Sequence, residues 1–95
     1  MRMMIRWTVP ADEGNEAIRK GTLQESIQKL TQMLNPEAAY YFASDGKRAG
    51  LMVFDMKDSS QIPPIAEQLF QAYEANVEFL PVMNADDLQK AFSQI

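Results

Sequence analysis

Residues Ala39–Met56 read AYYFASDGKRAGLMVFDM: two runs rich in Tyr, Phe, Leu, Met and Val flank Ser44-Asp45-Gly46-Lys47. Asp-Gly between apolar runs is a strong short-range signal for a β-hairpin. Its strands are expected near Ala38–Ala43 and Gly50–Lys57. Alternation across an even-length loop places Tyr41, Met52, Phe54 and Met56 on one face and Tyr40, Phe42, Leu51, Val53 and Asp55 on the other. Both faces are therefore largely apolar, and the rest of the chain has to account for two surfaces.

On the N-terminal side, Met1–Val9 alternates with period two, with Met3, Ile5, Trp7 and Val9 opposing Arg2, Met4, Arg6 and Thr8. This is the pattern of a strand. Pro10 ends it, since proline has no N–H for a ladder, and Ala11-Asp12-Glu13-Gly14 reads as a turn. Asn15 is then a helix cap, and Leu23, Ile27, Leu30 and Leu34 form one helical stripe. Gly21 interrupts that helix, and Thr22-Leu23-Gln24-Glu25 has the form of a capping box. Two readings stand: a continuous helix from Asn15 to Leu34, or a second start at Thr22. Asn35-Pro36 stops the helix in both.

On the C-terminal side, Ser59-Ser60 offers a cap and Pro63-Pro64 sit where a first helical turn tolerates them. Ile62, Ile65, Ala66, Leu69, Ala72 and Tyr73 form the apolar stripe of a helix closing near Asn76. Glu78–Met83 is the last strand, and its Pro81 favours a sheet edge. Asn84-Ala85-Asp86-Asp87 then caps a short terminal helix carrying Leu88, Ala91 and Phe92 on one side. The order βαββαβ plus a short helix predicts an α+β fold: a single ferredoxin-like domain over 1–95, its antiparallel sheet covered by helices on one face.

Composition narrows the chemistry. The 95 residues contain no Cys and no His, which removes disulfides, thiolate nucleophiles, the commonest metal ligands and the usual general base. The carboxylates Asp55, Asp58, Asp86 and Asp87 lack the spacing of a calcium loop, so no metal or cofactor is expected. A net charge of −4 disfavours nucleic acid and anionic membrane as partners. No apolar run approaches the ~20 residues that span a bilayer, and no signal-peptide core is evident, so a cytoplasmic location is expected.

Arg2 and Arg6 would need partners if buried, so the helix side of the first strand should be Met3, Ile5 and Trp7. The opposite face then carries Met4, Tyr40, Phe42, Leu51, Val53, Leu80 and Val82. A monomer rarely leaves so large an apolar patch to water. A homodimer is expected, with Met4, Phe42, Leu51, Val53, Leu80 and Val82 at its interface.

The WTVP strand ending, the VFDMKDS close of the hairpin, the IPPIAEQLF helix and the VEFLPVM strand together resemble the dimeric α/β-barrel superfamily, and within it the small bacterial members of unknown function. The resemblance covers nearly the whole chain. It implies ferredoxin-like subunits that face their sheets together. The superfamily also holds cofactor-free monooxygenases and isomerases, so the resemblance implies, as an alternative, an enzyme or binder for a small hydrophobic oxygenated compound in the cleft between sheet and helices. Many enzymatic relatives place a His at that cleft, and this chain has none.

The candidate site residues are Arg6, Tyr40, Asp55 and Glu78. Arg6 and Glu78 are expected as diagonal neighbours on the open face, where an Arg fork could hold an oxyanion, Tyr40 donate a hydrogen bond, and Asp55 or Glu78 act as base. The plainer reading is an ion pair at the rim of an interface. Trp7 and Tyr40-Tyr41-Phe42 could line a pocket for a flat ligand, although aromatics on small sheets more often supply core area. The seven scattered methionines read as gap fillers, and Lys47-Arg48 as a solvated turn.

Overall fold

The computed structural model describes all 95 residues. Its elements are β1 (Arg2–Val9), α1 (Ala11–Lys20), α2 (Thr22–Leu34), β2 (Ala38–Ser44), β3 (Lys47–Asp55), α3 (Ile62–Tyr73), β4 (Asn76–Pro81) and α4 (Ala85–Phe92). The four strands form one antiparallel sheet in the order β2-β3-β1-β4, so the first and third strands are central. The fold is α+β.

The hairpin forms as its sequence predicts. Asp45 (φ 52°) and Gly46 (φ 73°) both take positive φ, the requirement of a type I′ turn, and Ser44 pairs directly with Lys47. The ladder therefore begins at the turn, earlier in β3 than the apolar run alone suggested. The loop is even, and the two faces separate as alternation requires.

The helix region differs from expectation in three places. Ala11-Asp12-Glu13-Gly14 is the first turn of α1 and not a loop, and Asn15 lies inside the helix. Pro10 stands at the cap position with φ −54°, where a missing N–H costs nothing, and Asp12 and Glu13 favour the positive end of the helix dipole. At Gly21 the chain turns left-handed (φ 75°) and separates α1 from α2, which settles the two readings in favour of a break. Thr22 forms no capping box; its hydroxyl donates to the Ala17 carbonyl at 3.4 Å, because Gly21 occupies the cap position.

Downstream, the cap is Asp58 and not Ser59 or Ser60: its carboxylate accepts from the Ser60 N–H at 2.8 Å, and the Gln61 side chain accepts from the Asp58 N–H. A short 3₁₀ turn, Ser59–Gln61, leads into α3, whose first positions hold Pro63 and Pro64. The helix ends at Tyr73, and Glu74 (φ 51°) reverses the chain. This earlier stop lets β4 begin at Asn76, two residues before the expected start, and Pro81 ends it on a sheet edge. Asn84 and Asp87 cap α4 reciprocally, as read from the sequence.

The core lies between the helices and one side of the sheet. Met3, Ile5, Trp7 and Val9 of β1 and Met52 and Phe54 of β3 meet Leu30, Leu34, Ile65, Leu69 and Tyr73 from the helices. Tyr73 is buried with its hydroxyl satisfied: it donates to the Thr22 carbonyl at 2.9 Å and is hydrogen-bonded to the Ser26 hydroxyl. That contact ties the end of α3 to the start of α2. α4 has no buried residue and leaves Leu88 and Phe92 exposed.

Candidate functional site

Two regions carry side chains with chemical potential: the open face of the sheet, and a cavity where the helix side of the sheet meets α2. Register orders the open face in rows. Phe42, Ala49, Thr8 and Asn76 form one; Tyr40, Leu51, Arg6 and Glu78 the next; then Ala38, Val53, Met4 and Leu80; then Asp55 and Arg2. Val82 follows in register beyond β4, its N–H donating to the Arg2 carbonyl at 3.2 Å. Met4, Phe42, Leu51, Val53, Leu80 and Val82 therefore share this face, and Tyr40, Phe42 and Leu80 are exposed.

Arg6 and Glu78 are direct cross-strand partners, closer than the diagonal relation expected. The Arg6 Nη2 and Nε donate to one carboxylate oxygen at 2.7 and 3.2 Å, leaving the second oxygen of Glu78 unengaged by Arg6. Both side chains stay about half exposed, so this is a solvated surface pair. Tyr40 lies in the same row, two strands from Arg6, roughly 9–10 Å across the sheet.

Asp55 does not join them. It pairs in register with Arg2, four residues along β3 from the partner of Arg6, roughly 13 Å away at about 3.3 Å per residue. Its carboxylate binds the Lys57 ammonium and the Met1 amine, the latter at 2.7 Å. The Lys57 hydrogen bond first, and the amine second, hold its pKa down to about 2. A base with a raised pKa is the opposite of what these cations produce. Because the folded value is the lower one, the stabilisation from Asp55 is present above the ordinary value of about 3.9 and is lost as pH falls through about 2. Following the Asp55 carboxyl carbon by NMR during acid titration should give a midpoint near 2; a midpoint near 4 would remove the ion-pair network.

A charge cluster that the sequence did not suggest occupies the same end of the face. Arg2 donates from Nε to Glu37 at 2.6 Å and from Nη1 to Asp87, linking the start of β2 to the first turn of α4 across β1. These two carboxylates, Glu37 foremost, raise the Arg2 pKa further. Only the three-dimensional register brings residues 2, 37 and 87 together, and no local motif announces it.

On the helix side, one row reads Tyr41, Gly50, Trp7 and Val77. Gly50 has no side chain, so the Trp7 indole lies across it and meets Tyr41 edge-on, with ring centroids 6.4 Å apart and planes at 62°. Beside this pair opens a cavity of about 230 Å³, walled by Val9, Leu23, Ile27 and Ala49 and bordered by Phe42 and Arg48. A more open groove continues from it along α2 over Ile18, Gln24 and Gln28. Trp7, Tyr40, Tyr41 and Phe42 were weighed as pocket residues against core area: Trp7 is buried core that also borders the cavity with Tyr41 and Phe42, and Tyr40 lies on the open face. Arg48, read as part of a solvated turn, was not anticipated. No group of three or more carboxylates is assembled that could hold a metal ion.

No helix is long and apolar enough to cross a membrane. No protein-family model and no curated protein matches the chain.

Proposed function

We propose that the chain is a ferredoxin-like subunit of the dimeric α/β-barrel type and acts as a homodimer, two copies stacking their open sheet faces about a two-fold axis. The observation that carries this reading is the uncovered face itself. α1, α2 and α3 close one side of the sheet, while the rows from Phe42 to Leu80 leave Tyr40 64%, Phe42 40% and Leu80 38% exposed. The cations on this face are already engaged, Arg6 by Glu78 and Arg2 by Glu37 and Asp87, so a partner sheet would strand no lone cation. The central placement of β1 and β3 supports the ferredoxin-like assignment.

The same geometry gives less support to catalysis by Arg6, Tyr40, Asp55 and Glu78, since Asp55 is engaged elsewhere and the Arg6–Glu78 pair stands in solvent. Arg6→Ala would leave Glu78 unpaired on the shared face and is expected to raise the dissociation constant about tenfold or more. Loss of a bound small molecule with an intact dimer would favour the catalytic reading instead.

A chain without cysteine permits a clean test of which face is shared. Val53→Cys and Gln68→Cys place single thiols on the open face and on α3 respectively. A bismaleimide about 10 Å long, matching the spacing of stacked sheets, should convert the Val53→Cys protein to a covalent dimer and leave the other monomeric. Cross-linking at Gln68→Cys alone would place the contact on the helices.

A further inference from the structure

We infer that the cavity beside Trp7 is a binding site for a small planar aromatic carboxylate, with the ring against Trp7, Leu23 and Ile27 and the anionic group on Arg48. Three residues at this cavity, Trp7, Tyr41 and Arg48, carry a polar group with no partner in the chain. The Trp7 indole N–H, in a side chain only 3% exposed, makes no hydrogen bond, and no buried side-chain nitrogen or oxygen is left sealed without one. That N–H is therefore not sealed inside the core. The Tyr41 hydroxyl is likewise unengaged.

Arg48 forms no ion pair, unlike Arg2, Arg6 and Arg19. Its stem and guanidinium lie across Gly14 of α1, where an added Cβ would come within 2.7 Å of Nη1. The guanidinium is thus held against the helix beside the cavity. Arg48 is the one charged residue lining the cavity, and the wall contains no carboxylate. A neutral apolar guest would leave the donors unused, and a cation would meet Arg48, so charge complementarity selects an anion.

Size selects the rest of the guest. A dry apolar cavity of about 150 Å³ admits benzene, and this one measures about 230 Å³. It fits one aromatic ring with a carboxylate and is below the size of drug-sized pockets. The net charge of −4 opposes anions at long range, but charges beyond about 8 Å are screened at physiological salt, leaving Arg48 dominant at the mouth. The site lies on the helix-covered side and does not depend on the dimer reading; Phe42 and Ala49 border both surfaces.

Trp7 is the only tryptophan, so its indole N–H gives one isolated resonance in a proton–nitrogen correlation spectrum. Benzoate should shift that resonance saturably, with benzamide, the same ring without the charge, about tenfold or more weaker. Arg48→Met, which keeps the aliphatic stem over Gly14, should abolish the preference for benzoate. Leu23→Phe, which fills the cavity and leaves Arg48 in place, should prevent the shift. No saturable shift with benzoate in the unaltered protein, equal affinities for the two compounds, or undiminished benzoate binding by folded Arg48→Met or Leu23→Phe protein would each overturn the assignment.

Discussion

Replacing Gly50 with alanine should destabilise the domain by about 2–3 kcal/mol, a fall in melting temperature of roughly 10–20 °C for a chain of this size. The added Cβ would stand 2.4 Å from Cζ2 and 2.9 Å from Cε2 of Trp7. The atoms it meets belong to a rigid ring buried in the core, so no flexible tip can swing away. The gain from restricting the unfolded chain is smaller, about 0.4–1 kcal/mol, and does not change the sign. Trp7→Phe in the alanine background should recover part of the loss, since a smaller ring vacates the space. A thermal melt of the two single variants and the double variant measures this coupling. Strict additivity would mean that Trp7 and Gly50 do not share the space assigned to them.

Val53→Asp should separate the proposed dimer while leaving the subunit folded. Val53 sits in the open-face row between Ala38 and Met4, away from the buried core positions Met52 and Phe54. Two-fold symmetry introduces the carboxylate twice into the contact, and its diagonal neighbours on β1, Arg2 and Arg6, are already engaged by Glu37, Asp87 and Glu78. The dissociation constant should rise by at least about a hundredfold, equivalent to about 2.7 kcal/mol. Gln68→Asp on α3 is the matching control and should have no effect on association. Circular dichroism of the Val53→Asp protein should retain the helix and strand signal of the parent. If that variant stays dimeric, the open face is not the contact.

Much of this architecture was legible because local chemistry and tertiary packing agree. Asp45-Gly46 demands a turn that only one hairpin register satisfies, and the alternation in β1 then sorts Met3, Ile5 and Trp7 from Met4 and Arg6. The start of α1 was not legible, because Pro10 both ends a strand and begins a helix, and the acidic turn after it suits either a loop or the positive end of a helix dipole. The open-face residues were placed on the correct side, yet alternation says nothing about distance along a strand. Asp55 therefore shared a face with Arg6 without being near it. Gly50 gave no pattern signal either: in sequence it is a gap in an apolar run, and only the neighbouring strand shows that Trp7 fills the gap. Arg48 was misread for the same reason, since its apparent turn position hides a side chain that folds back over α1.

The state of association tests most directly whether the open face of the sheet is shared. Sedimentation equilibrium of the unaltered chain at micromolar concentration should give twice the monomer mass of 10.8 kDa, and the same result in high salt, because an apolar contact is not screened. A mass of 10.8 kDa under those conditions, or a dimer that dissolves as salt is raised, would mean that the open face of the sheet is not buried in the way proposed.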